Sequence, residues 1–296
     1  MRKLSVGTAV LSAALFGLAT PLSKILLRDL NSFQLAGLLY CGAGVGLLPF
    51  AFVKRKTRKG ELGRSSLLRV AGAVVFGGML GPVLLLFGLQ RANAASVSLW
   101  LNLELAATAV LGWMFFRDHL DLRTWLGVLG ALVAGVLITA HEGAAGMIAG
   151  GLVALACVCW GLDNQLTAVI DALTPTQVTL IKGLVAGPIN LAIGVSMMPL
   201  PQMSRVVAPA LAVGVVSYGL SMALYITASH GLGATRSQVL FASAPFFGAF
   251  FSVLLVSETI SGIQALAAFI LAVSLLSILR RSHAHEHEHE ASEHVH

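Results

Sequence analysis

Apolar runs of roughly 20 residues, separated by short polar or basic stretches, recur along the whole chain. They predict ten helices, at residues 4–27, 32–53, 67–90, 94–116, 122–140, 144–167, 175–197, 206–229, 233–256 and 260–279. At about 1.5 Å of rise per residue, each is long enough to cross a bilayer.

The rhythm of the first five runs returns in the second five. In gapless register Ala94 falls on Ala234, Asp118 on Glu258, Leu126 on Leu266 and Val133 on Val273. Earlier in each half, Phe16-Gly17-Leu18 falls on Trp160-Gly161-Leu162, and with a small shift Leu30, Gln34 and Gly44 fall on Leu173, Gln177 and Gly187. Five spans per repeat is an odd number, so the second repeat enters the bilayer from the opposite side to the first. Inverted repeats are one way secondary transporters build alternating access. The expected fold is therefore an all-α membrane protein of ten transmembrane helices in two inverted five-helix repeats, residues 1–140 and 141–281, with a tail at 282–296.

Composition agrees: 57% hydrophobic and 11% charged residues, with a mean hydropathy of +0.86, lie outside the range of soluble domains. The 296 residues are consumed by the spans and short loops, which leaves no room for an ATPase domain. With the N-terminus in the cytoplasm, Arg2, Lys3, the basic run from Lys54 to Lys59, Arg64, Arg69, Arg117, Arg123, Arg236, Arg280 and Arg281 all fall on the inner side, against Arg28, Arg91 and Arg205 outside. The positive-inside rule favours that orientation, with both termini cytoplasmic. The net charge of +6 is then mostly topogenic and implies no nucleic-acid partner. Met1-Arg2-Lys3 before an apolar run also resembles a signal peptide. The run is retained as a span, because it has a counterpart around Trp160. Cys41, Cys157 and Cys159 fall within spans and imply neither disulfides nor a metal centre.

Ionisable groups inside spans are costly and mark candidate sites. Glu104 in the fourth run, Asp163 in the sixth, Lys182 in the seventh and Lys24 in the first are those groups. Glu104 reads as a proton-coupling carboxylate or as the ligand of an amine-bearing solute, against a structural ion pair with a cation from another helix. Asn102 lies two residues before it, and Trp100 lies one turn back on roughly the same face. Asp163 and Lys182, at similar depth on consecutive helices, are placed to pair across the hairpin. Trp160 and Asn164 beside Asp163 offer aromatic and amide surface, Tyr218 and Tyr225 form a second aromatic face, and Arg236 is placed to gate or to snorkel. Glycine clusters at Gly77-Gly78, Gly150-Gly151 and Gly183 with Gly187 fit close helix packing. Pro21, Pro82, Pro188 and Pro245 are expected to kink their helices.

Several stretches carry a family likeness: LFGLATPLSK (15–24), GPVLLLFGL (81–89), SLWLNLE (98–104), CWGLDNQLT (159–167), IKGLVAGPINL (181–191) and SAPFFGA (243–249), with a helix of small residues ending in an acidic residue twice, at Asp118 and Glu258. Across nearly its whole length the sequence resembles the EamA-type members of the drug/metabolite transporter superfamily. That resemblance implies a basket of ten helices around a central cavity, lined by the first, third, fourth, sixth, eighth and ninth spans, with the fifth and tenth on the periphery. It also implies secondary transport, mostly export, of amino acids, other small metabolites or drugs. Fold does not fix the solute.

The tail alternates imidazole and carboxylate: His283, His285, His287, His289, His294 and His296 are interleaved with four glutamates. Such a set suits weak binding of zinc, nickel or copper; a solvated tail without transport consequence is the alternative. No GxSxG motif occurs, and a Glu104–Asp163 aspartyl dyad is the residual catalytic reading. The expectation is a bacterial inner-membrane secondary transporter, monomeric or homodimeric, exporting a small organic metabolite or amino-acid-like solute. It needs no cofactor beyond a possible coupling proton. A divalent-metal exporter using the tail, and a non-transporting scaffold or sensor, are the alternatives.

Overall fold

The computed structural model of the chain describes residues 2–51, 63–116, 120–170 and 172–276. Within them every regular element is helical. Nine helices are long and apolar enough to span a membrane, and we number them in chain order: α1 (Leu4–Leu26), α2 (Ser32–Phe50), α3 (Arg64–Leu89), α4 (Ala94–Phe115), α5 (Leu122–His141), α6 (Gly143–Ala168), α7 (Pro175–Met197), α8 (Arg205–Leu232) and α9 (Arg236–Val256). A shorter apolar helix, α10 (Gly262–Leu276), completes the described part.

The starts of these helices are written into the sequence twice. Asn31 and Gln34 exchange backbone–side-chain hydrogen bonds ahead of α2, and Thr174 and Gln177 do so ahead of α7. Asp121 accepts from the Thr124 amide at α5, while Ser261 and Gln264 pair at α10. Each cap satisfies amide groups that would otherwise be orphaned at a helix start, where no lipid can serve them.

The halves interlock rather than sit side by side. In the first half α1 packs on α8 and α9, and α2 on α7 and α8; in the second, α6 packs on α3 and α4, and α7 on α2 and α3. The tightest seam joins α2 to α7. A side chain at Gly183 would meet the backbone of Gly44 and Tyr40 at 2.8 Å, and one at Gly187 would meet Cys41 at 2.8 Å. Small residues here let two backbones close up where lipid supplies no hydrophobic drive. By contrast α5 leaves Trp125, Leu129, Leu132 and Val136 exposed along one stripe, and α10 leaves Ile263, Leu266, Phe269 and Val273 exposed, as expected of lipid-facing peripheral helices.

Two ends of the bundle can be distinguished. At one, near the start of α1, Ser5 lies against Gly231 and the Arg69 guanidinium donates to the Val169 carbonyl. At the other, hereafter the distal end, the α1–α2, α3–α4, α5–α6, α7–α8 and α9–α10 turns gather. There Asn31 donates to Gly194 O at 2.9 Å, and Glu142 accepts from Asn93 and Ser96. Since α1 starts at the first end and α6 at the distal one, the second half runs opposite to the first.

The helices are interrupted where the chain comes together. α1 breaks at Leu18 and α9 at Ala242-Ser243, each shortly before a proline. α3 passes through a π-helical stretch, Ala73–Leu80, and α8 through another, Gly214–Leu220. α4 was expected to be continuous, but it breaks at Leu101-Asn102 without a proline. The Asn102 amide side chain donates to Leu99 O at 3.0 Å, and the Glu104 amide bonds only three residues back, to Leu101 O. An asparagine competing for the local backbone is the physical cause.

Candidate functional site

The break in α4 decides where its polar residues go. Trp100 lies before it, fully buried, with its indole N–H on Gly135 O of α5 at 3.1 Å. Asn102 turns toward α5 and α10, lining a small crevice with Ala106, Gly127, Ala131, Leu271 and Ser274. Glu104 opens the next helical segment, in the first turn, where the helix dipole favours a carboxylate. The expectation that Trp100 shares a face with Glu104 therefore fails: the chain is re-aimed between them, and Trp100 and Asn102 serve the α4–α5 contact.

Half-buried, Glu104 faces α6, where the Asn164 amide donates to its Oε1 at 2.9 Å and to Thr108 Oγ1 at 3.3 Å. Among the described residues no lysine or arginine lies within ion-pair distance of it. Asn164 is exposed, yet it projects from the side of α6 opposite the exposed stripe that includes Ile148, Leu155 and Val158. Its exposure is toward a recess inside the protein rather than toward lipid.

Next to Asn164 on α6, Asp163 forms the anticipated ion pair with Lys182 of α7, Nζ to Oδ2 at 2.7 Å, with both side chains largely buried. Thr167 donates to the other Asp163 oxygen at 3.2 Å. The pair fits only because α3 presents Gly77 to it; a β-carbon there would collide with the Asp163 carboxylate.

Pro82 explains the rest of this wall. It has no N–H, so the carbonyls that would have bonded to it, Gly78 in an α-helical ladder and Gly77 in a π-helical one, are left without a backbone donor. Side chains from three helices take them: Tyr40 OH at 2.6 Å and Trp160 Nε1 at 3.1 Å donate to Gly77 O, and Asn190 Nδ2 donates to Gly78 O at 3.2 Å. Freed carbonyls buried in a membrane would otherwise be left unsatisfied at a cost of several kcal/mol each.

A second wall, which begins at the same Tyr40, is aromatic. Tyr40 lies 6.0 Å from Tyr218 between ring centroids, Tyr218 lies 5.5 Å from Phe16, Phe16 lies 5.2 Å from Phe241, and Phe241 lies 5.0 Å from Tyr225. The Tyr225 hydroxyl reaches Gln238 at 2.7 Å. Arg236 lies half-buried in the first turn of the same segment.

The structure thus brings together Glu104, Asn164, Trp160, Asp163 and Lys182 on one wall and Tyr218 on the other, while Trp100 and Asn102 lie elsewhere. Lys24 has another role, donating to Leu89 O at 2.6 Å and Ala92 O at 2.9 Å. Tyr40, Phe241, Asn190 and the Gly77–Gly78 carbonyls are additions. Asn190 and the carbonyls were signalled by Pro82, which frees the carbonyl four residues earlier, and by a lone asparagine within a span. Tyr40 gave no such signal. The histidines of the tail, His283 to His296, and Asp118 lie outside the described residues.

Comparison with known proteins agrees with this architecture. The chain matches the EamA-like transporter family twice, over residues 3–140 and 147–280. It is 27% identical over 300 residues to an uncharacterized transporter of Methanothermobacter thermautotrophicus, covering 92% of this chain and 85% of that one. A solved crystal structure shares the fold, with a TM-score of 0.59 at 17% identity over 94% of this chain and 96% of the other. The chain belongs to the EamA-like transporter family and is a multi-pass membrane transporter.

Proposed function

We propose that this transporter exports a small organic metabolite or amino-acid-like solute by secondary-active alternating access. The observation that carries the reading is the pairing of two unlike walls: Glu104 with Asn164 on one side, and the ring series Tyr40, Tyr218, Phe16 and Phe241 on the other. A solute with an amine and an apolar body suits both. Its ammonium would replace the Asn164 amide on the Glu104 carboxylate as a charge-assisted hydrogen bond, and its body would lie against aromatic faces. Neutralising a half-buried carboxylate that has no cation partner among the described residues gives the solute a reason to bind there. If a proton occupies Glu104 when the solute does not, the same carboxylate couples export to proton entry.

The basic loops favour an inner-membrane protein with cytoplasmic termini. Each wall draws residues from both repeats, 1–140 and 141–281, so we read neither repeat as a transporter by itself. Untargeted comparison of the medium of cells carrying the wild type or empty vector tests the reading. Enrichment of an amine-bearing metabolite by the wild type is expected; enrichment confined to anions or to divalent metal would replace it.

A further inference from the structure

Lys24 and Glu258 were both conspicuous in the sequence, and neither belongs to the walls just described. They act on one short segment at the distal end, the α3–α4 turn. The Lys24 ammonium of α1 donates to the carbonyls of Leu89 and Ala92, where α3 ends. The Glu258 carboxylate, from the α9–α10 turn, accepts from the amides of Ala94 at 2.7 Å and Ala95 at 2.8 Å, where α4 begins. A cation on the negative pole of one helix and an anion on the positive pole of the next match both dipoles. Around them Ser96 donates to Glu142 and accepts from Gln264 at 2.7 Å, and both Ser96 and Gln264 are almost fully buried. Ser96 and Gln264 are thus closed off beneath the turn, whereas Asn164 at the recess is exposed.

We propose that Lys24 and Glu258 form a distal latch: each ties the α3–α4 turn to a helix of the α1–α9 side, and both contacts must part for the recess to open at that end. The geometry supports an opening role beyond simple stabilisation. The two charges come from α1 and α9, which pack on each other, while the groups they hold belong to α3 and α4, which pack on α6. α9 also packs on the first segment of α4, with Gly248 close against Ser98, so separating α1 and α9 from α3 and α4 breaks both polar contacts together with that small-residue seam. Glu258 gains a hydrogen-bonded pair of amides rather than a counter-ion, so its contact is directional and is lost with a small displacement.

The proposal rests on alternating access but on no particular solute, so its test needs none. Cys41 and Cys159 are replaced by serine, Cys157 is kept, and Asn164→Cys serves as the reporter. A membrane-impermeant maleimide is then applied from each face of sealed vesicles. With the latch intact, labelling of position 164 is expected mainly from the face opposite the latch. Glu258→Gln, which keeps one amide acceptor and loses the other, should raise the rate from the distal face by about tenfold. Lys24→Met, which loses both of its hydrogen bonds, should raise it by at least as much, and each should lower the rate from the other face. Cys157, fully buried between α4 and α6, reports loosening of the bundle. An unchanged distal rate in both variants, or a rise at Cys157 in parallel with position 164, would overturn the latch. Because no solute is present, that failure is separate from failure of the export reading.

Discussion

The two halves of the molecule share one scaffold and spend it differently. Where α6 and α7 carry Asp163, Asn164, Lys182 and Asn190, the matching register of α1 and α2 carries Ala19, Thr20, Leu39 and Leu47, and the position matching Glu104 in α9 is Ala244. Conversely α1 and α8 contribute Phe16 and Tyr218 to a ring series, and a pair of serines, Ser12 and Ser221, hydrogen-bonds reciprocally between backbone and side chain. A π-helical stretch at the matching place is kept in each half, Ala73–Leu80 in α3 and Gly214–Leu220 in α8. The fold therefore does not need the buried charges: the matching positions of the other repeat, Ala244, Ala19 and Leu39, do without them. Buried ion pairs are weak contributors to stability when compared with apolar replacements, so their presence on one wall only points to work on a solute.

This contrast can be broken in steps. The largest effect is expected from Asp163→Ala, which leaves the Lys182 ammonium buried and unpaired at a cost of about 3–5 kcal/mol. Adding Lys182→Leu, so that the pair copies Ala19 and Leu39, should restore most of that loss, a difference that thermal unfolding of the single and double variants in detergent would measure. If the double variant is as unstable as the single one, the wall is structural and the comparison between halves misleads. Next in size is Asn190→Leu, which copies Leu47 but strands the Gly78 carbonyl beside Pro82. A loss of about 1–3 kcal/mol is expected, whereas a neutral outcome would mean the carbonyl finds another donor. Smallest is Tyr218→Phe, which keeps both ring contacts and should shift stability by less than about 0.5 kcal/mol; a larger shift would assign the hydroxyl a role of its own.

Much of this was legible before any coordinates. Helix number and extent follow from the apolar runs, because a bilayer imposes a single length on every span. The Asp163–Lys182 pair was legible for the same reason, since two opposite charges in adjacent spans have few other ways to be tolerated. The facing of Trp100 and Asn102 was not, because helical periodicity assumes an unbroken helix, and Asn102 breaks this one by bonding to Leu99 O. In the sequence Lys24 reads as a site charge, whereas its partners are backbone carbonyls, which no side-chain pattern announces. The sequence points to Tyr218 but not to the rest of the aromatic wall, for a related reason: Tyr40, Phe16 and Phe241 come from three other helices, and what they share with Tyr218 is their position in space.

The most direct test compares, at matched membrane levels, the medium of cells expressing the wild type and Glu104→Gln. The substitution keeps the size and the hydrogen bond to Asn164 but removes the charge. The account predicts that a metabolite accumulated outside by the wild type falls to vector level in Glu104→Gln; equal accumulation by both would show that the carboxylate neither binds the solute nor couples its export.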